Sequence, residues 1–202
     1  MMTLLAWTFI YAGAAACGVV AADFVCARYE RHEDGPAPMQ LHPAVPVVLF
    51  ALLGIALAAR GGNLVQLATI ALLGVPLVGA WYSDARAGIV PDVFTLVPLA
   101  IIAVGVVWHH TWWIAISALV IFGAFALAAT FSRGRGMGWG DAKLAMLTGA
   151  ALGLQVSLLT LAVACFVATV VSVIRNRGTK PIAFAPYIVV TMFVAFVISV
   201  HR

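Results

Sequence analysis

LAMLTGAALGLQVSLLTLAVACFVATVVSVI, residues 144–174, runs for 31 residues without a formal charge. As one helix it extends about 46 Å at 1.5 Å per residue, against a bilayer hydrocarbon core of about 30 Å. That is too long for one comfortable crossing and short for two. Gly153 and Gln155 offer a break that divides the stretch into two short helices. Whether the chain returns after Ile174 to the side it left at Lys143 depends on that break.

The flanking charges favour one answer. Apolar runs predict spans at 3–27, 43–59, 64–82, 92–108, 112–131, 142–155, 157–174 and 183–200. With the loops around 28–42, 83–91, 132–143 and 175–182 facing the cytoplasm, that side holds Arg28, Arg31, Arg86, Arg133, Arg135, Lys143, Arg175, Arg177 and Lys180. These are nine of the eleven cations, and only Arg60 and Arg202 lie elsewhere. The positive-inside rule favours this arrangement. It requires an even number of crossings between Lys143 and Arg175, so two short helices are expected in place of one long one. The expected fold is all-α: a polytopic membrane protein of about eight transmembrane helices with short loops and both termini extracytoplasmic. Residues 1–202 form a single integral membrane domain, with 28–42 a short cytoplasmic loop. The first run, Thr3 to Ala27, is too long for a cleaved leader and lacks a basic start, so it is read as a retained helix.

Composition excludes several other classes. Of the 202 residues 64% are apolar and 9% charged, with a mean hydropathy of +1.11. Soluble domains carry about 25% charged and under about 50% apolar residues. A water-soluble globule and a disordered chain are both excluded, and the period-2 alternation of a barrel strand is absent. The net charge of +4 comes from scattered cations, not from a basic run. They report topology, and no nucleic-acid partner is expected. Cys17, Cys26 and Cys165 form no C-x-x-C pair, which leaves a zinc ribbon, a redox pair and a disulfide framework unsupported. The turn Trp108-His-His-Thr-Trp-Trp113 reads as an interfacial aromatic belt. His109 and His110, without acid or cysteine neighbours, belong to that belt and not to a metal site.

Charge scarcity narrows the search for chemistry to seven carboxylates. Glu30, Glu33 and Asp34 lie in the polar loop, and Asp23 is placed to snorkel or to pair with Arg28. The other three end predicted membrane helices. In Trp81-Tyr-Ser-Asp84-Ala-Arg-Ala-Gly-Ile-Val-Pro91-Asp92, Pro91 suits a first helical turn, and Asp92 meets a favourable helix dipole. Asp84 follows an apolar helix at its C-terminus, where the dipole disfavours a negative charge. A residue placed against its local electrostatics is a functional candidate. In Gly134-Arg-Gly-Met-Gly138-Trp-Gly140-Asp141-Ala-Lys143, four glycines make a compact loop and Asp141 opens a helix. An N-cap or first-turn role suits it as well as a chemical one. The hairpin 92–131 goes out and returns, so its ends are expected about 10 Å apart. Facing aspartates there can share one proton, the ionised one activating water and the protonated one polarising a peptide carbonyl.

These residues resemble the prepilin peptidases, polytopic aspartic proteases of the GxGD class. The likeness rests on Gly138-x-Gly140-Asp141 with Ala-Lys-Leu after it, on Asp84 with Ile89-Val-Pro91-Asp92 and Thr95, and on Lys180-Pro-Ile-Ala-Phe184-Ala-Pro186-Tyr187 before the last helix. It covers a catalytic core of about residues 81–190. The resemblance implies an endopeptidase of the bacterial cytoplasmic (inner) membrane, acting at its cytoplasmic face. It would remove the short basic leader of type IV pilin or pseudopilin precursors after Gly, the mature part being a hydrophobic helix in lipid. By resemblance Asp84 and Asp141 are the catalytic pair, and Gly138 and Gly140 shape the second aspartate's loop. Pro91, Asp92, Lys143 and Pro186 match motif positions as structural support. Larger family members often carry two C-x-x-C pairs after the first helix and also methylate the new N-terminus. Here that loop holds none, so the zinc site is absent, and S-adenosylmethionine enters only if methylation is retained. Proteolysis needs no cofactor and no metal. The remaining partners expected are membrane lipids, whose headgroups Arg133, Arg135, Arg175 and Arg177 can hold.

Other readings fit less well. A presenilin-like intramembrane protease also uses GxGD, but here the order is Tyr82-Ser-Asp84 and no Pro-Ala-Leu element occurs. An acid-coupled transporter places its acids near mid-bilayer on broken helices, whereas Asp84 and Asp141 sit at span ends. A non-enzymatic scaffold leaves the placement of the acids without a purpose.

Overall fold

The computed structural model describes residues 2–28, 42–131, 137–174 and 183–199, which form eight helices and no strand. They are α1 (Met2–Cys26), α2 (Ala44–Ala59), α3 (Leu64–Ala87), α4 (Val93–His109), α5 (Trp112–Phe131), α6 (Trp139–Leu152), α7 (Leu154–Ile174) and α8 (Ala185–Ser199). Glu30, Arg31, Glu33, Asp34, Arg133, Gly134, Arg135, Arg175, Arg177, Lys180 and Arg202 lie outside the described residues. By length and composition α1, α3, α5 and α7 can each cross a bilayer, while α2, α4 and α8 are apolar but shorter. The 14 residues of α6 reach about 21 Å, short of a hydrocarbon core of about 30 Å.

The uncharged stretch breaks at Gly153. Its φ of +74° and ψ of 171° fall in a region open essentially to glycine alone. Gln155 lies within α7, so one residue makes the whole break. The polar groups it frees are satisfied locally. The Gly153 N–H donates to the Gly149 carbonyl at 3.1 Å, and the Ser157 hydroxyl donates to the Thr148 carbonyl at 2.9 Å. Such repair is what an irregular turn between apolar helices requires.

Helix bounds differ from the hydropathy reading at α3, α6 and α7. α6 ends at Leu152, ahead of the expected 155, and α7 starts at Leu154, ahead of the expected 157, because Gly153 alone makes the break. α3 continues five residues beyond the expected end at Tyr82, because Ser83, Asp84 and Arg86 lower hydropathy without opposing helix formation. Gly88, at φ +69°, ends it and donates its N–H to the Asp84 carbonyl. Its start is a capping box: Asn63 Oδ1 accepts the Gln66 N–H at 2.8 Å, and Gln66 Oε1 accepts the Asn63 N–H at 3.3 Å. α6 begins at Trp139, ahead of the expected 142, with Gly138 as its N-cap.

α8 is the central element, packed on α2, α3, α6 and α7, with Ile188, Val189 and Met192 fully buried. α1 lies across α2 and α3, and α5 rests on α6. An aromatic column joins three of these helices: the Tyr11 and Phe50 ring centroids are 4.9 Å apart, and those of Phe50 and Phe193 are 4.8 Å apart. The buried Tyr11 hydroxyl donates to the Leu67 carbonyl at 2.9 Å. Towards the far end of α8, the Arg60 guanidinium donates to the Val197 carbonyl at 2.7 Å, a cation at the carbonyl pole of a helix. The turn at Trp108 to Trp113 exposes Trp108, Trp112 and Trp113.

Candidate active site

Five helix ends meet opposite Arg60: the C-termini of α1 and α3 and the N-termini of α4, α6 and α8. Asp84 sits in the last turn of α3 and is buried, only 6% exposed. Its own helix offers a carboxylate nothing at this position, since the local dipole is negative. The compensation comes from elsewhere. Asp84 Oδ2 accepts the Ala185 N–H at 2.9 Å, and the Phe184 amide adds a second backbone interaction. These are free N–H groups at the start of α8, where the dipole is positive. Pro186, buried in that first turn, lacks an N–H where none would have a helical partner.

Asp141 occupies the first turn of α6 and is partly exposed. Its Oδ2 accepts the Gly138 N–H at 3.1 Å, so it also has the local first-turn contact that its position predicted. Asp141 lies close enough to Asp84 for the two carboxyls to interact electrostatically. Among the described residues α3 and α6 make no close backbone contact, so the two acids meet across α4 and α8, each of which packs on both helices.

Gly140 faces the loop before α4. A Cβ there would lie 2.8 Å from Val90 Cβ and 3.4 Å from the Val90 carbonyl oxygen, a close approach that glycine permits. Gly138 is extended, and a Cβ there would make only ordinary contact, 3.6 Å from Asp141 Oδ2. Thus Gly140 meets a steric demand that Gly138 does not. Pro91 is buried and Asp92 caps α4. The Asp92 side chain makes no cap bond; Oδ1 lies 2.5 Å from Lys143 Nζ of α6 instead. Thr95, fully buried, donates its hydroxyl to the Asp92 carbonyl at 3.2 Å.

Two pairings escaped the sequence reading. Asp23 does not pair with Arg28. It pairs with Arg86, which ties α1 to α3 beside the site, while Arg28 lies over the Phe24 ring at 4.4 Å. Arg28 lies in the turn beyond the end of α1 at Cys26, where it is set over Phe24. The Asp92–Lys143 pair bridges distant segments, and only the shared motif neighbourhood hinted at it. The site offers no third ligand beside its aspartates: among the described residues no group of three His, Cys, Asp or Glu side chains could hold a metal.

Comparison with known proteins adds one finding. Residues 71–173, about half the chain and including both Asp84 and Asp141, match the model of the type IV leader peptidase family. No curated protein and no solved structure gives a significant match.

Proposed function

The chain belongs to the type IV leader peptidase family, and on that premise we propose that it is a membrane aspartic endopeptidase with Asp84 and Asp141 as its catalytic pair. One observation carries the reading: the family match spans two carboxyls from separate helices that interact at one end of the bundle, where Asp84 is buried and Asp141 partly exposed. The ionised aspartate takes a proton from water as its oxygen attacks the scissile carbonyl, and the protonated one hydrogen-bonds the developing oxyanion. Collapse breaks the C–N bond, the amine leaves protonated, and the pair again holds one proton. No metal or organic cofactor takes part in this cycle. Methyl transfer, with S-adenosylmethionine as donor, is no part of the proposal.

The substrate we propose is a type IV pilin or pseudopilin precursor with a short basic leader, cut after Gly at the boundary between water and lipid. A site at the helix ends suits a substrate whose mature helix stays in the bilayer while its leader is in water. We place the core at residues 81–190 of a single membrane domain. We further propose eight crossings in a bacterial inner membrane, termini outside and the aspartates on the cytoplasmic side. Arg28, Arg86 and Lys143 sit at the aspartate end, and Arg60 sits at the other, as the positive-inside rule asks. Purified protein mixed with such a precursor should release the leader at the Gly junction, read by mass spectrometry. Thiol labelling of single cysteines in the 83–91 and 108–112 turns should reach them from opposite faces. An inert enzyme, or labelling of both turns from one face, would remove the corresponding part of the proposal.

A further inference from the structure

We infer that Asp92 and Lys143 form an ionic clasp that sets the spacing of the two aspartates, with Lys143 and Asp92 as positioning residues. The inference rests on the proposed catalytic pair, and its geometric part can be tested without catalysis.

α3 and α6 carry the aspartates yet make no close backbone contact of their own among the described residues. Their relative placement passes through the segment Gly88–Asp92 and through α8. Gly88–Asp92 continues directly from the turn of α3 that holds Asp84, with the Gly88 N–H bonded to the Asp84 carbonyl at 2.9 Å. The same segment is fastened to the start of α6 at two points that bracket Asp141. On one side Gly140 seats against Val90. On the other, Lys143 Nζ meets Asp92 Oδ1 at 2.5 Å. The body of α6 stays packed on α4, α5 and α8. Losing the ion pair leaves Gly140 seated against Val90 between the Gly88–Asp92 segment and the first turn of α6, and that turn can shift about this contact.

The pair's exposure says what it does. The Asp92 side chain is 58% exposed and that of Lys143 26%, so its contribution to stability is small. Variants should therefore fold, and the effect should appear as altered geometry at the aspartates. A displacement near 1 Å of a reacting group lowers turnover by roughly a hundredfold.

The test uses the full-length protein with Cys17, Cys26 and Cys165 replaced by serine and with Asp84→Cys and Asp141→Cys introduced. Cross-linking by a short bifunctional thiol reagent is read by mass spectrometry. Asp92→Asn or Lys143→Met should lower the cross-linking rate several-fold, and the exchange Asp92→Lys with Lys143→Asp should restore it. With the aspartates intact, the single variants should lose roughly tenfold or more in kcat with KM little changed, and the exchange should recover most of it. Equal cross-linking in all variants overturns the clasp. Failure of the exchange to restore it, in a protein that still folds, also overturns it, because the positive charge beside Asp141 would then be what matters. If cross-linking follows the predicted pattern while the wild-type protein leaves precursors uncut, the clasp stands and the proposed activity falls.

Discussion

The carboxylate of Asp84, in the last turn of α3, accepts the backbone N–H of Ala185, in the first turn of α8, at 2.9 Å. The carbonyl pole of one helix and the amide pole of another thus meet at one buried acid. The second pole offsets what the first makes unfavourable. Through this bond the segment before the last helix becomes part of the site, although no side chain from it is assigned to the chemistry.

Ala185→Pro removes that donor while leaving every carboxylate in place. Proline is tolerated at the first helical position, so α8 should still form. A hydrogen bond to a charged group contributes about 1.5–3 kcal/mol, and cleavage should fall roughly ten- to a hundredfold. Ala185→Ser keeps the N–H and should retain nearly full activity. Equal activities for the two variants would show that the bond does not matter.

The two motif glycines should respond differently to a methyl group. Gly140→Ala drives its Cβ into Val90, and overpacking of this kind costs about 1–3 kcal/mol. The displacement falls on the residue beside Asp141, so activity should drop more than thermal stability. Gly138→Ala meets only ordinary contacts and should be the milder change. Leader-cleavage rates and unfolding temperatures in detergent, measured on both variants, decide the order.

Gly153→Ala tests the helix break. An alanine at φ +74° and ψ 171° is strained by about 1–3 kcal/mol, and the unfolding temperature should fall accordingly. Ala151→Gly, two residues earlier and within α6, should cost no more than about 1 kcal/mol. If Gly153→Ala unfolds no earlier than the wild type, the backbone does not need glycine there.

Tyr11→Phe isolates one buried hydrogen bond from the aromatic column. The ring contacts with Phe50 remain, while the bond to the Leu67 carbonyl goes, a loss of about 1 kcal/mol. Thermal unfolding should show that loss with cleavage unchanged, because the column lies away from the aspartates.

Much of this architecture was legible because apolar runs and scarce charges carry the information a membrane protein needs. The eight helices follow the predicted runs closely, and the division at Gly153 follows from length and charge together. Tyr82 shows where hydropathy misleads: the expected end of α3 came five residues early, since a membrane boundary is not a helix boundary. Asp84 and Asp141 stood out because the other acids had easier explanations. The partners of Asp84, Asp92 and Asp23 could not be read, as each bond joins segments distant in sequence and depends on how α8, α6 and α3 dock. Asp84 was singled out as a charge against its helix dipole, yet in three dimensions α8 supplies the balance. The signal available in advance was the Pro-rich start of α8, which the resemblance marked as a motif without showing what it faces.

The most direct test of the central claim is the cleavage rate of a pilin-like precursor by the purified protein compared with Asp84→Asn and Asp141→Asn. Both substitutions keep shape and hydrogen-bonding capacity while removing the shared proton. The account predicts release of the leader after Gly by the wild type and no detectable release by either variant, with all three proteins unfolding at similar temperatures. Cleavage by either variant at a rate near that of the wild type would contradict it.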